Sequence, residues 1–581
     1  MSVIELREGN CRNCYKCIRG CPVKAIEFKD GRAAVIEKEC VLCGACIATC
    51  PQNAKHIRSE LDAAKALLRS GRPVYATVAP SWSGYFDTSD FASLTASLCA
   101  LGFAGVEETA IGAYEASREY AALLEQGKMK NVIVTACASA VMLVEKHYPA
   151  LIPYLAPVSS PMMAHARLMR EAYGDIAVVF IGPCFSKKQE AKDPLSGELC
   201  DCVLTFDELE TWLDEAGQSL RSQEANASAA EADTAERSHA VGTSHPVSRL
   251  YPTPTGIIKT IDPDVFGSSC YKPVAVDGLE RCIELFDAMV NDQLEGLFVE
   301  ANICSGSCVG GPVMRLHGKV PIITSGYISD EKQPQDEHPA ASSLLTLEHP
   351  RVFADRSVRY PMPTEEQIKA ILAKTGKFTP EQELNCGSCG YASCRDKAIA
   401  VFQGKADINM CLPFFRERAE SISNTILANS PNAIIALDSD RLIQDLNKTA
   451  EQMFEITRGD AVGFPLPMFE EDSLFEQARK EGKPADKKVV LMDYGIVVEE
   501  TVVYIDNHDM YVAFIKDITR EEADARAMKD MREHTIETAQ AVIDKQMRVA
   551  QEIASLLGET TAETKVALTN LKKSMAEKAG R

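Results

Sequence analysis

Long apolar runs are missing from this sequence, and none approaches the ~20 residues that a helical membrane span needs. Residues 1–12 also lack the apolar core of a secretion signal, so we expect a protein of the cytoplasm. Basic residues are in deficit, with 62 Lys and Arg against 83 Asp and Glu and a formal net charge of -21. A chain this acidic repels phosphate backbones, which argues against nucleic acid as a partner.

Cysteine, in contrast, is abundant, with 21 in 581 residues. In a reducing compartment, clustered cysteines are metal ligands or catalysts more often than disulfides. The rest of the composition, 46% hydrophobic and 25% charged, is typical of packed domains. The length suggests roughly four of them.

The strongest pattern is an internal repeat in residues 1–60. Its two runs have the spacing C-x2-C-x2-C-x3-C-P of bacterial two-cluster ferredoxins. In that pattern the fourth cysteine of each run ligates the cluster of the other run. We therefore expect one 4Fe-4S cluster on Cys11, Cys14, Cys17 and Cys50, and a second on Cys40, Cys43, Cys46 and Cys21. Zinc is the alternative metal.

Residues 61–363 are predicted to form an α/β domain, because short apolar strands alternate with helical patterns. The candidate strands are Val74–Val78, Asn131–Thr135, Ile176–Ile181 and Gly296–Glu300. The last three precede Cys137, Cys184, and the pair Cys304 and Cys308. Strand carboxyl ends converge in one crevice, so four thiolates are expected there, although a single cysteine is more often a small hydrophobe. Residues 215–245, rich in Ala, Ser, Glu and Gln, are predicted to be a disordered insertion.

Two loops of this domain resemble signature loops of the iron-only (FeFe) hydrogenases. They are Gly182-Pro-Cys-Phe-Ser-Lys-Lys-Gln-Glu190 and Cys304-Ser-Gly-Ser-Cys308-Val-Gly-Gly311, while Thr135-Ala-Cys137 is similar to the remaining signature loop. The resemblance implies an H-cluster, with a 4Fe-4S unit on Cys137, Cys184, Cys304 and Cys308. Cys308 would also bridge to a two-iron site that carries CO and cyanide.

The same resemblance implies roles for three charged residues. Lys187 matches a lysine that hydrogen-bonds a cyanide ligand, where a buried ammonium offsets the anionic cluster. Glu190 matches a glutamate of the proton route, and Glu119 matches another. A surface role is the alternative for Glu119.

Four positions depart from the pattern of the catalytic members. Ala136 stands where those enzymes have a proton-delivering cysteine, and Ala156 stands at a serine of the same route. Gly182 and Asn302 replace methionines that pack against the two-iron site. Loss of a positioned proton carrier lowers a rate by ~10²- to 10⁴-fold, so slow turnover is expected. These departures resemble the sensory branch of the family.

A third group of cysteines lies in residues 364–415, after a predicted helix at Glu365–Lys374. Its members are Cys386, Cys389, Cys394 and Cys411. The stretch Asn385–Cys394 resembles a small 4Fe-4S module of electron-transfer and corrinoid proteins, in which glycines let the loop wrap closely round the cluster. A zinc knuckle is the alternative. The other five cysteines are expected to be buried hydrophobes: Cys99, Cys200, Cys202, Cys270 and Cys282.

Residues 425–520 resemble a PAS domain, an α+β module. The resemblance rests on Asn429-Ser-Pro-Asn-Ala-Ile-Ile-Ala436 and on the closing Asp517-Ile-Thr519. The predicted strands are Ala433–Asp438, Lys488–Met492, Val497–Ile505 and Met510–Ile515. No haem signature is visible, and His508 is expected to be an exposed turn residue.

Residues 521–581 are predicted to be helical. Apolar residues recur every seven positions, with two more between them: Ile536, Ile543, Ala550 and Leu557, then Ala539 and Ile553. This spacing predicts a coiled-coil seam and a homodimer, with a helix packed on its own module as the alternative. Thr560–Glu563 has a capping-box pattern before a last helix.

The expected fold is thus a multidomain α/β and α+β chain, and three functions fit it. The first is a dihydrogen-sensing hydrogenase of low turnover that relays its redox state through 4Fe-4S clusters to a PAS and coiled-coil output. Its expected partners are dihydrogen and protons, a ferredoxin-like carrier, hydrogenase maturation proteins, and a signalling kinase or phosphatase. The second is a productive ferredoxin-linked hydrogenase. The third is an electron-transfer protein without a two-iron site.

Overall fold

The protein is described here from a computed structural model. It covers residues 2–87, 90–218, 246–291, 294–329, 350–465, 472–557 and 562–577. The chain forms two compact units, Met1–Phe414 and Phe415–Arg581. The insertion predicted at 215–245 lies almost entirely outside the described residues, as does part of the capping box at 560–563. Among the described helices, none has the length and apolarity to cross a bilayer.

The N-terminal repeat folds into two similar halves. The strands are β1 (Ile4–Leu6), β2 (Ile26–Lys29), β3 (Arg32–Val35) and β4 (Lys55–Ile57), with one-turn helices at Lys16–Arg19 and Ala45–Ala48. Strand β1 pairs with β4 and β2 with β3, all antiparallel. Positive φ angles occur at matching positions of the two runs: Asn13, Tyr15 and Lys24, then Leu42, Gly44 and Asn53. The sequence repeat is therefore also a backbone repeat.

The middle of the first unit is an α/β domain with two parallel sheets, as predicted. Its strands are β5 (Val74–Val78), β6 (Gly105–Glu108), β7 (Val132–Ile133), β8 (Ala177–Gly182), β9 (Cys202–Thr205), β10 (Lys272–Asp277) and β11 (Leu297–Asn302). The sheet orders are β6-β5-β8-β9 and β10-β11-β7. All six residues of β8 and of β11 are buried, which is typical of parallel strands covered on both faces.

Helices cover both sheets. Their bounds are Leu61–Leu68, Trp82–Phe86, Phe91–Ala100, Ala110–Gln126, Ala138–His147, Pro161–Tyr173, Ser186–Ala191, Phe206–Glu215, Gly256–Thr260, Pro263–Ser268, Leu279–Val290, Pro312–Leu316 and Pro321–Ser329. The predicted strands are confirmed, but β7 is shorter than expected. It ends before Thr135, whose hydroxyl donates to the carbonyl oxygen of Val158 at 2.8 Å.

The small third cysteine module contains the helices Glu365–Ala373 and Cys394–Phe402. The first agrees closely with its prediction. A further helix, Leu412–Ala428, begins directly after Cys411 and leads into the second unit.

The second unit contains an antiparallel sheet of order β13-β12-β16-β15-β14. Its strands are β12 (Ala433–Asp438), β13 (Ile443–Leu446), β14 (Ala485–Leu491), β15 (Ile496–Ile505) and β16 (Met510–Asp517), and its helices Lys448–Met453, Arg458–Ala461 and Asp472–Glu481. The four predicted strands are confirmed. The prediction missed β13, which is short and half polar. His508 is exposed in a turn, as expected. The C-terminal helices are Thr519–Leu557 and Ala562–Glu577.

A buried carboxyl group on β15 makes the second unit sensitive to pH. Glu500 lies on the core side of the strand with Val498 and Val502 and is 4% exposed. Among the described residues, its Oε1 has no hydrogen-bond partner. Burial raises the pKa of Glu500 to about 7, against an opposing effect of Lys487. Between pH 4.5 and about 7, the folded state therefore keeps a proton on Glu500 that the unfolded chain has released. The free energy of unfolding falls as the pH rises through this range.

Glu500→Gln is expected to stabilise the PAS sheet above pH 7 by about 3 kcal/mol, because a shift of one pKa unit is worth about 1.4 kcal/mol. Below pH 4.5 the effect should vanish. Amide hydrogen exchange of β12 to β16 in the full chain, with the rates corrected for the pH dependence of intrinsic exchange, measures the effect in both pH ranges. Glu499→Gln, whose side chain lies on the other face of β15, is the matched control. An unchanged pH profile in Glu500→Gln would contradict the assignment.

Candidate metal centres

The eight cysteines of the repeat lie in two groups of four. Cys17 lies within electrostatic range of Cys11, Cys14 and Cys50. Cys46 lies within the same range of Cys40, Cys43 and Cys21. We call these groups the first and second ferredoxin sites. As predicted, the first site takes Cys50 from the second run, and the second site takes Cys21 from the first run. That these cysteines bind clusters stays a prediction.

Backbone amides and one lysine face these thiols. The N–H of Ala25 donates to Cys21 Sγ at 3.3 Å, and the N–H of Ala54 donates to Cys50 Sγ at 3.4 Å, at equivalent places in the two runs. Lys55 is 4% exposed and lies within electrostatic range of cysteines of both sites. Such donors and charges stabilise an anionic cluster, so both sites fit 4Fe-4S groups.

The middle site is formed by Cys137, Cys184, Cys304 and Cys308, which come together from the carboxyl ends of β7, β8 and β11. Each of Cys137, Cys304 and Cys308 lies within electrostatic range of Cys184. Burial raises the pKa of each of these three thiols. Cys304 also lies within range of Cys43 of the second ferredoxin site.

A buried charged triad borders the middle site. Lys187 Nζ donates to Glu190 Oε2 at 2.5 Å and to the carbonyl oxygen of Ala136 at 3.0 Å. Arg351 Nη2 pairs with Glu190 Oε1 at 2.9 Å, and its Nη1 donates to the carbonyl oxygen of Thr135 at 2.9 Å. Burial by itself would raise the pKa of Glu190, but Lys187 and Arg351 lower it. Glu190 is thus held as a carboxylate.

Ala136 and Ala156 are packed in apolar surroundings. Ala156 is 0% exposed and belongs to a hydrophobic cluster with Tyr120, Val158 and Phe298, against which Ala136 also packs. These positions contain no group that could hold a proton.

The surroundings of Gly182 and Asn302 differ from those of the two alanines. A Cβ atom at Gly182 would lie 2.6 Å from the ring of Phe180, so this ring occupies the space of the missing side chain. Asn302 Nδ2 donates to Glu300 Oε1 at 3.2 Å and to Ser307 Oγ at 3.3 Å. Burial raises the pKa of Glu300 to about 7.

The sequence-based site prediction was incomplete. Glu300 was missed, although a single carboxylate in the apolar run of β11 is a visible signal. Arg351 was missed because nothing in its neighbourhood connects it to Glu190. Glu119 is half-buried, and burial raises its pKa against an opposing effect of Arg167; its role stays a prediction.

The third site is formed by Cys386, Cys389, Cys394 and Cys411, which line one cavity. Lys377 Nζ donates to Cys411 Sγ at 3.4 Å. Gly390, with φ of +94°, lies against the ferredoxin region: a Cβ atom there would be 2.7 Å from Ile18 Cγ2. Lys24 Nζ reinforces this contact by donating to the carbonyl oxygen of Gly390 at 2.8 Å.

The five remaining cysteines are only partly as expected. Cys200, Cys202 and Cys282 are buried. Cys99 is half-buried and Cys270 is exposed, so the expectation of burial is wrong for Cys270. Within the described ranges, no three Cys, His, Asp or Glu side chains form a group suited to a single metal ion.

Four cysteine groups on these scaffolds define a multi-cluster iron–sulfur protein, and comparison with family models agrees. Residues 10–54 match the 4Fe-4S dicluster domain, 382–413 a putative Fe-S cluster, and 423–518 the PAS fold. Residues 72–312 match the model described as iron only hydrogenase large subunit, C-terminal domain. The chain therefore carries a domain of the iron-only hydrogenase family, with ferredoxin, small iron–sulfur and PAS domains beside it.

Known proteins similar to parts of this chain have several roles. The cytosolic Fe-S cluster assembly factor NAR1 of Eremothecium gossypii is 35% identical over 98 residues, 17% of this chain and 22% of that protein. A component of the ion-translocating oxidoreductase complex of Methanosarcina acetivorans is 41% identical over 51 residues, 9% of this chain and 19% of that protein. The chain thus spans only about a fifth of the length of these curated relatives.

Among solved structures, the [FeFe]-hydrogenase HydA1 from Chlamydomonas reinhardtii is 19% identical. That match covers 52% of this chain and 100% of the other, with a TM-score of 0.37. The PAS domain of nitrogen regulation protein NR(II) from Vibrio parahaemolyticus is 21% identical and covers 17% of this chain and 98% of the other, with a TM-score of 0.16.

Proposed function

We propose that this chain is a dihydrogen-sensing hydrogenase of low turnover, in the cytoplasm. The observation that carries the proposal is the apolar packing of Ala136 and Ala156 beside a site that keeps its four cysteines and Lys187. The four cysteines and Lys187 fit an H-cluster. When bound, this group would supply the reversible conversion of dihydrogen into two protons and two electrons.

The residues round the site would slow the proton side of this reaction. Glu190 is held ionised by Lys187 and Arg351, so it accepts a proton reluctantly. Ala136 offers only its carbonyl oxygen, which already accepts from Lys187. A base that is weak at working pH transfers protons slowly. Such a site would suit the sensing of dihydrogen better than its rapid turnover.

Electrons would leave through the ferredoxin region. Cys304 of the middle site lies near Cys43 of the second ferredoxin site, which supports a direct exchange between them. The third site packs on the same region through Gly390. In our proposal a ferredoxin-like carrier exchanges electrons with these sites, and hydrogenase maturation proteins install the two-iron group.

The output would pass through the second unit. The helix Leu412–Ala428 connects the third site to the PAS domain along the chain. Asn447 Nδ2 donates to the carbonyl oxygen of Leu427 at 3.0 Å, so the end of that helix is bound to the PAS domain. We propose that a separate kinase or phosphatase reads the change.

An infrared spectrum of anaerobically matured protein, under argon and then under dihydrogen, tests the proposal. Bands of CO and cyanide that shift with dihydrogen, together with slow turnover, are expected. Turnover at the rate of ordinary hydrogenases would favour the productive alternative. Absence of the bands after maturation would favour an electron-transfer or cluster-binding protein without a two-iron site, an alternative supported by the similarity to the assembly factor NAR1.

We also propose a homodimer, through an exposed apolar stripe of the long helix that shares Ile553 with the predicted seam. Of the predicted seam residues, Ala539, Ile543 and Ala550 are half-buried, whereas Ile536 and Ile553 are 46% and 51% exposed. A second stripe, with one residue every three or four positions or a multiple of that, is 46 to 69% exposed: Met528, Met531, Val542, Val549 and Ile553.

The double substitution Val542→Asp and Val549→Asp is expected to weaken dimerisation at least ~100-fold, because each charge would be buried in an apolar seam. Sedimentation equilibrium of the full chain measures this. Ile536→Asp, which is 46% exposed but lies off the stripe, is the matched control and should leave the dimer intact. A dimer that survives the double substitution would exclude this seam.

A further inference from the structure

Two buried lysines face the third site, whereas among the described residues a single buried lysine, Lys55, lies beside the two ferredoxin sites together. Lys377 is 8% and Lys397 6% exposed, and both face the cavity that the four cysteines line. Lys377 Nζ donates to Cys411 Sγ at 3.4 Å, and Lys397 lies within electrostatic range of Cys411 and Cys389. The ferredoxin thiols with described donors, Cys21, Cys40 and Cys50, accept from uncharged backbone amides.

The ammonium groups are fixed in place. Lys397 Nζ donates to the carbonyl oxygen of Ile408 at 2.7 Å, and Lys377 Nζ also donates to the carbonyl oxygen of Thr375 at 3.1 Å. Asp407 is the carboxylate that faces Lys397. Two cations thus face one carboxylate and four thiolates, and their orientation does not depend on the cluster.

The effect of these cations on reduction depends on the charge of the cluster. A 4Fe-4S group with four thiolates is a dianion, and one added electron makes it a trianion. Buried cations and charged donors to sulfur favour the more negative form, and solvent exposure acts in the same direction. Cys386 is exposed, so all three influences favour the reduced form of the third site.

We infer that the third site is the electron reservoir of the chain, and that Lys377 and Lys397 make its cluster the first of the iron–sulfur groups to be reduced. The inference deepens the proposed function and rests on it for the source of electrons. Oxidation of one dihydrogen releases two protons and two electrons. In the proposed relay the third site would accept one of these electrons, and a ferredoxin site would accept the other. The added charge would then lie beside Cys411, where the helix toward the PAS domain begins.

A redox titration with dithionite, followed by electron paramagnetic resonance on the reconstituted full chain, tests the inference. Cys389→Ala identifies the signal of the third site by its loss. In the unsubstituted protein this signal is expected at the highest potential of the iron–sulfur groups. If it appears after either ferredoxin signal, the inference is wrong, and this outcome needs no substitution.

Substitutions test the role of the lysines. Lys377→Met and Lys397→Met should each move the midpoint of the third site to lower potential, whereas Lys377→Arg, which keeps the charge, should leave it nearly in place. Lys55→Met is the matched control, since it removes a buried lysine beside the ferredoxin sites and should move only their signals. An unmoved third-site midpoint in both methionine variants, at full iron content, would overturn the assignment.

The reductant separates this inference from the proposed function. Dithionite reduces the clusters whether or not dihydrogen reacts. A correct order with dithionite but no reduction under dihydrogen would sustain the reservoir and contradict the sensor. Reduction under dihydrogen in which the third site is reduced last would support the sensor and contradict the reservoir.

Discussion

Restoring both proton carriers, by Ala136→Cys together with Ala156→Ser, is expected to raise dihydrogen turnover by about 10²-fold. The thiol would stand next to Cys137 of the middle site, and the hydroxyl would replace a hydrogen of the buried Ala156 methyl group, in the cluster against which Ala136 packs. Ala136→Cys alone should give a smaller increase, because Ala156 would still interrupt the route. Turnover by matured protein with a soluble electron donor measures the effect.

Ala138→Cys is the control for this prediction. Ala138 is buried on the other side of Cys137 and lies on no proposed route, so a thiol there should leave turnover unchanged. If the restored variant turns over no faster at equal two-iron content, proton delivery does not limit the rate. The proposed explanation for slow turnover would then be wrong.

Lys187→Met is expected to remove most of the two-iron group, with CO and cyanide bands reduced about 10- to 100-fold, the usual effect of losing a group that supports a metal site. Lys187 is the ammonium that resemblance assigns to a cyanide ligand, and it is only 9% exposed. Methionine keeps the length of the side chain and removes the charge. Infrared band intensity per mole of protein gives the result.

The chain offers a close control in the next residue. Lys188 is 1% exposed and lies on the same short helix, but its Nζ pairs with Glu208 at 2.7 Å and donates to the carbonyl oxygen of Arg58. Lys188→Met should destabilise the fold by leaving Glu208 without its cation, yet keep the bands of the molecules that fold. Equal loss of bands in both variants would mean that general instability, and not the cyanide contact, is responsible.

The sequence predicted most features that depend on local spacing. The cysteine repeat, the strand Val74–Val78 and the convergence of Cys137 and Cys184 all followed from patterns within short windows. The features that were missed depend on contacts between distant residues. Arg351 pairs with Glu190 although the two lie far apart in the sequence, and the ring of Phe180 fills the space at Gly182 through packing that no spacing rule expresses.

The same limit explains the long helix and the third site. A seven-residue period identified apolar positions, but it could not show which of them the folded chain leaves exposed: Ile543 is half-buried, whereas Val542 is 51% exposed. The lysines at 377 and 397 do not stand out in the sequence, since lysines are usually solvated. Only the fold shows that both are buried against thiols.

The contact between Gly390 and Ile18 has a consequence for the rate of electron exchange. Electron tunnelling slows steeply as the gap between two redox groups widens. Any side chain at Gly390 would meet Ile18 and force the two surfaces apart. In the proposed relay, a side chain at Gly390 would therefore slow electron exchange between the third site and the ferredoxin sites, because it would move the two surfaces apart.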